Sequence, residues 1–175
     1  MPVPQHLISL LILIPVAVTG IYFDVRYRRI PNALVLATLA AGLTSHLAYG
    51  GLGGLKASAG GFCFAFVPML VIHILGAMGA GDVKLFGAIG AVVGAKLVLP
   101  TFVLVVMLGG ALAVVSMARS GTVFSTLHGV LRIFVGLLPG WEMPRFSMPA
   151  DRRKTIPYGV AITLGGLLST IFFRA

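Results

Sequence analysis

Acidic side chains are almost absent: in 175 residues there are four, Asp24, Asp82, Glu142 and Asp151. Charged residues of either sign make up only 10%, against about a quarter in an ordinary soluble domain. That scarcity excludes a soluble globular fold, and the apolar share of 58% with mean hydropathy +1.06 points the same way. Cysteine is nearly missing as well. Cys63, the single one, lies in an apolar run, so neither an internal disulfide nor a multi-cysteine zinc site is available. No Lys or Arg precedes the first apolar run (Met1-Pro2-Val3-Pro4-Gln5-His6), which argues against a cleaved signal peptide with its positive n-region.

Long apolar runs recur along the whole chain, each able to cross roughly 30 Å of hydrocarbon. The expected architecture is all-α: a polytopic membrane protein of six transmembrane helices forming a single membrane-embedded unit over residues 1–175. The spans are expected at Leu7–Phe23, Ala33–Tyr49, Ala57–Met78, Leu85–Leu99, Thr101–Ala118 and Ile156–Phe173. Pro31 breaks the chain after the first span, because proline pushes its predecessor out of the α region. The stretch Gly50 to Gly54 is expected to form a flexible turn, and Pro100 to mark the turn into the fifth span. In the 119–155 connection, Val123–Leu138 is apolar but only 16 residues long and contains His128 and Arg132. It reads as an interfacial amphipathic segment, with Trp141 as an interface anchor just beyond it.

Net charge is +9. In a soluble protein this would suggest nucleic acid, but here the basic residues are scattered between spans, so nucleic acid is not an expected partner. With both termini outside, Arg26, Arg28, Arg29, Lys84, Arg119, Arg132, Arg145, Arg152, Arg153 and Lys154 fall on one side, ten of the 13 Lys and Arg. Lys56, Lys96 and Arg174 fall on the other. The excess assigns the first side to the cytoplasm.

Acids this rare at a membrane boundary read as a functional site. Asp24 ends the first span and Asp82 precedes the fourth. Two spans separate them, so both lie at the same depth on the cytoplasmic face, and bundle packing could bring them together. Two carboxylates in one low-dielectric pocket share a proton and can run acid–base hydrolysis. The competing reading pairs Asp24 with Arg26 or Arg28, and Asp82 with Lys84. Asp82 and Lys84 are two residues apart, however, and such positions do not face each other on a helix. Gly79 and Gly81 let the backbone approach a substrate closely, and a plain turn explains them equally well. Asn32 can cap the second span or brace the turn after Asp24, and the cap is the expected role. Gly87, Gly90 and Gly94 recur along one side of the fourth span and suit close helix packing. His6, His46, His73 and His128 are dispersed without metal-ligand spacing and read as packed or interfacial histidines. No Ser or Cys has an evident His and acid partner. Lys84 reads as an interface anchor or as a charge near Asp82, and Glu142 and Asp151 as loop acids.

Gly79-Ala80-Gly81-Asp82-Val83-Lys84 resembles the GxGD signature of the type IV prepilin peptidases. Phe23-Asp24 followed by Arg29-Ile30-Pro31-Asn32 resembles that family's first aspartate motif. Ile156-Pro157-Tyr158-Gly159, opening the last span, resembles its Pro-x-Gly motif, so Pro157 and Gly159 join the supporting residues. The resemblance implies a membrane aspartic endopeptidase of the bacterial inner membrane, with Asp24 and Asp82 catalytic. It implies a prepilin as substrate, cleaved at its leader on the cytoplasmic face, with the bilayer as the other partner and no metal or organic cofactor. Larger members carry a cytoplasmic insertion with paired cysteines and a methyltransferase activity. One cysteine and a short loop after Asp24 leave no place for it, so the chain resembles the small, peptidase-only branch of Flp/Tad pilus systems. Rival readings are a presenilin-type GxGD protease cutting within a substrate span, and a non-enzymatic transporter or pilus-assembly scaffold.

Overall fold

In the computed structural model residues 4–76, 78–120 and 158–173 are described. The regular elements among them are all helical: α1 (Gln5–Tyr27), α2 (Asn32–Ile74), α3 (Ala80–Val93), α4 (Ala95–Ser120) and α5 (Tyr158–Phe172). In lipid a helix satisfies its own backbone, and α1, α2 and α4 are long and apolar enough to cross a membrane. α5 is a shorter apolar helix. Exposed Leu11, Val18, Leu36, Phe64, Ile74, Leu99 and Met107 clothe the outsides of the three long helices, as suits a hydrocarbon solvent.

α2 is not straight. Gly51 adopts φ 56°, ψ −144°, a conformation closed to side chains with a Cβ, and the chain folds back there. Just past the turn, a Cβ on Gly54 would run into the carbonyl of His46. Both arms then lie along α3, with Gly42 against Ala91 and Val92, and Gly61 against Gly90 and Gly94. The stretches expected as the second and third spans fall on the two arms of α2. The turn is made at Gly51 alone; helix resumes at once through Leu52 to Gly54.

The next boundary differs from expectation. α3 begins at Ala80 and stops at Val93, and the reversal is made by Gly94 at φ 78°, ψ 162°. Pro100 lies inside α4, and Lys96 belongs to the first turn of α4. A proline near a helix start forfeits one backbone bond, whereas a positive φ turns the chain, so the glycine sets the boundary. The cap after Pro31 differs too. Pro31 itself is the N-cap of α2, no side chain caps it, and Asn32 is the first helical residue.

α3 is the buried centre: Val83 and every residue from Leu85 to Val93 are buried. Phe86, Ile89 and Val92 pack with Leu13 and Val16 of α1, Ala65 and Met69 of α2, and Ile162 of α5. Small residues make the approach close, as expected of the glycine stripe. Gly87 lies under Phe62 and Phe66, and Gly90 against Ala65. The amphipathic segment expected at Val123–Leu138, with Trp141, Glu142 and Asp151, lies outside the described residues, as does Pro157.

Candidate active site

Asp24 lies one turn before the end of α1, and Arg28 closes that helix in a left-handed conformation, its N–H donating to the Asp24 carbonyl at 3.1 Å. The Asp24 side chain is only 6% exposed. A carboxylate there needs donors, and they come from the start of α5. The Val160 N–H donates to Asp24 Oδ2 at 3.3 Å, and the Gly159 N–H also donates to this carboxylate. The first N–H groups of a helix have no partner within it, so an acid is a natural receiver. Gly159 admits the contact: a Cβ there would sit 2.8 Å from Asp24 Oδ2. The positive charge of Arg28 also acts on Asp24.

Asp82 is the third residue of α3, whose N-cap is Gly79 at φ −73°, ψ 143°. Its carboxylate reaches back to accept the Gly79 N–H, the return half of a capping box. A Cβ on Gly79 would stand 3.1 Å from Asp82 Oδ2. Here Gly79 supplies both a donor and the space beside the acid.

Asp24 and Asp82 lie near enough for the negative charge of Asp24 to act on Asp82. The two motifs also touch elsewhere: a Cβ on Gly81 would lie 3.5 Å from the Cβ of Ile30, and Lys84 Nζ donates to Asn32 Oδ1 at 3.5 Å. Lys84 is exposed and the Asn32 amide oxygen accepts from its ammonium, so Asn32 ties the start of α2 to α3. Tyr158, absent from the sequence-level site, is half-buried within reach of the charge on Asp82, its ring packed over Gly109. Its place between proline and glycine in the last motif was the available signal. The Val160 N–H and Ile30 were also missed, because a backbone donor and a packing aliphatic carry no chemical signature in a sequence. Among the described residues no group of three or more His, Cys, Asp or Glu gathers as a metal site would require.

These features define a helical protein with membrane-length helices in which two acids far apart in sequence come within electrostatic reach of each other. The chain belongs to the type IV leader peptidase family, whose sequence pattern matches residues 11–114, including both aspartates. It is 32% identical over 171 residues to the prepilin leader peptidase/N-methyltransferase of Bacillus subtilis (strain 168). That alignment covers 94% of this chain and 53% of the relative, so the chain spans about half the relative's length. No solved structure matches the chain.

Proposed function

We propose that this chain is an aspartic endopeptidase that removes the leader from type IV prepilins of the Flp-like kind at the cytoplasmic face of the bacterial inner membrane. The observation that carries the reading is the juxtaposition of Asp24 and Asp82, each oriented by backbone N–H groups. In the proposed reaction the pair holds one proton. The ionised carboxylate takes a proton from water as its oxygen attacks the scissile carbonyl carbon. The protonated carboxyl delivers its proton to the departing amine as the C–N bond breaks. The two titrate as one unit, so base and acid are roles of the pair. The partners in this reading are the prepilin and the bilayer, with no nucleic acid, metal or organic cofactor.

The same reading holds six crossings: α1, the two arms of α2, α3, α4 and α5, with both termini outside. Supporting it, Arg28 and Lys84 share the aspartate end, while the Gly51 turn and Lys96 lie at the other end of α3. We also propose cleavage without N-methylation, supported by the short link of residues 28–31 between α1 and α2, which holds no inserted domain.

The test is leader cleavage in membranes that co-express a Flp-type prepilin, comparing wild type with Asp24→Asn and Asp82→Asn. Each substitution is expected to lower the rate by about 10³-fold or more while the protein accumulates normally. A variant that accumulates and cleaves at full rate overturns the dyad. Product sequencing decides the position of the cut, and a cut deep within a substrate span overturns the prepilin assignment in favour of presenilin-type proteolysis.

A further inference from the structure

His73 belongs to neither aspartate motif, yet a short path through one hydrogen bond and one peptide group leads from it to Asp82. It lies in the last turn of α2, half-buried, with Nδ1 2.7 Å from the carbonyl oxygen of Met78. A carbonyl can only accept, so Nδ1 carries the proton in this bond. The backbone of the same residue closes the turn as well: the Gly76 N–H donates to the His73 carbonyl at 2.8 Å, with Gly76 at φ 80°.

The peptide group that receives the imidazole is the one whose nitrogen belongs to Gly79. Gly79 lies against the Asp82 carboxylate, where a Cβ on it would stand 3.1 Å from Oδ2, and its backbone amide acts on that acid. Peptide groups are planar, and in the trans form the C=O and N–H point in opposite directions. One rigid plane thus has an imidazole N–H at its oxygen end and a carboxylate at its nitrogen end. Hydrogen bonds at both ends of an amide polarise it in the same sense and reinforce each other. The Gly79 carbonyl is engaged in turn, accepting from the N–H groups of Asp82 and Val83 at 3.1 and 3.3 Å. Among the described residues, His73 is a side chain that holds the Met78–Gly79 plane at its oxygen.

We propose that His73 is a positioning residue: by holding the Met78 carbonyl it fixes the Met78–Gly79 peptide plane and aims the Gly79 N–H at Asp82. The catalytic consequence rests on the peptidase reading above, whereas the coupling of His73 to Asp82 through the peptide does not. The imidazole touches no reacting atom.

The sequence supplies a direct probe, because Met78-Gly79 is its only Met–Gly pair. Full-length protein in lipid nanodiscs, labelled with carbonyl-13C methionine and 15N glycine, yields one correlated resonance set for this peptide. Asp82→Ala removes the acceptor and is expected to move the Gly79 amide proton upfield. His73→Leu is expected to move both the Met78 carbonyl carbon and the Gly79 amide proton upfield. His73→Asn, whose side-chain amide presents a donor where Nδ1 stands, should leave both near their wild-type positions. His73→Gln keeps polarity but displaces the donor, and it should behave as the leucine variant does; it carries the test if the leucine variant fails to accumulate.

Prepilin cleavage supplies the second readout. With His73→Leu or His73→Gln, kcat is expected to fall about 10- to 100-fold while KM stays within about twofold, and asparagine should restore most of it. A Gly79 amide proton that stays in place when the His73 donor is removed overturns the proposal, as does asparagine that fails to rescue. If wild type cleaves no prepilin, the peptidase reading fails, and the resonances of the labelled peptide still decide the role of His73.

Discussion

The C-terminal end of α3 is closed by side-chain donors, whereas its N-terminal end surrounds acids with backbone donors. At the first end the last carbonyls of the helix would be left unpaired, and neighbouring helices complete them. Ser58 Oγ donates to the Ala91 carbonyl at 2.7 Å and Ser9 Oγ to the Val92 carbonyl at 3.2 Å. His46 Nε2 lies 3.0 Å from the same Val92 oxygen, and its Nδ1 is 2.9 Å from Gln5 Nε2. Since the carbonyl accepts, Nε2 carries the proton and Nδ1 accepts from the Gln5 amide. The donors are serine hydroxyls and the His46 ring, and their bonds close the helix end. At the other end Gly159, Val160 and Gly79 give their N–H groups to two carboxylates. A carboxylate has more acceptor sites than these donors occupy, which leaves capacity for a water or a substrate group. Both ends use small residues to bring backbone close, for structure in one case and for the proposed chemistry in the other.

Substitutions can separate these two uses. The largest effect is expected from Asp24→Asn or Asp82→Asn, at about 10³-fold in cleavage, or near 4 kcal/mol of barrier, with thermal unfolding little changed. Gly159→Ala comes next. Its new methyl would crowd Asp24 Oδ2, so cleavage should fall about 10- to 100-fold, and a melting curve close to wild type would separate misalignment from unfolding. Gly61→Ala probes the packing of α2 on the C-terminal part of α3, where a methyl would press on the Gly90 carbonyl and the Gly94–Ala95 backbone. It should lower stability by about 1–3 kcal/mol, read as a drop in melting temperature, with kcat of the remaining folded protein preserved. The smallest effect is expected from Ser58→Ala at the closed end. Loss of one neutral hydrogen bond to the Ala91 carbonyl should reduce stability by about 1 kcal/mol and leave cleavage unchanged. If Ser58→Ala impaired cleavage as strongly as Gly159→Ala, the division between a structural and a chemical end of α3 would be wrong.

Much of this was legible before any coordinates. Scarcity drew attention to Asp24 and Asp82, and the parity of the spans placed them at one face. Gly87 and Gly90 pack as closely as their spacing predicts. Less legible was where helices stop. Pro100 looked like the stronger breaker, but it is accommodated within α4 while Gly94 makes the turn. Asn32 looked like a cap, yet Pro31 already supplies the extended N-cap conformation, and the amide serves Lys84.

Composition and apolar run length by themselves determined a helical membrane protein, because a bilayer accepts so few backbone solutions. The order and spacing of the motifs singled out two acids, Asp24 and Asp82, as the candidates. Only the tertiary structure decided that α5 starts against Asp24, that Tyr158 stands near Asp82, and that His73 grips the peptide feeding Asp82. Those contacts depend on how helices cross and on the aim of individual peptide groups, quantities set by packing between elements far apart in the chain, to which hydropathy and local spacing are blind.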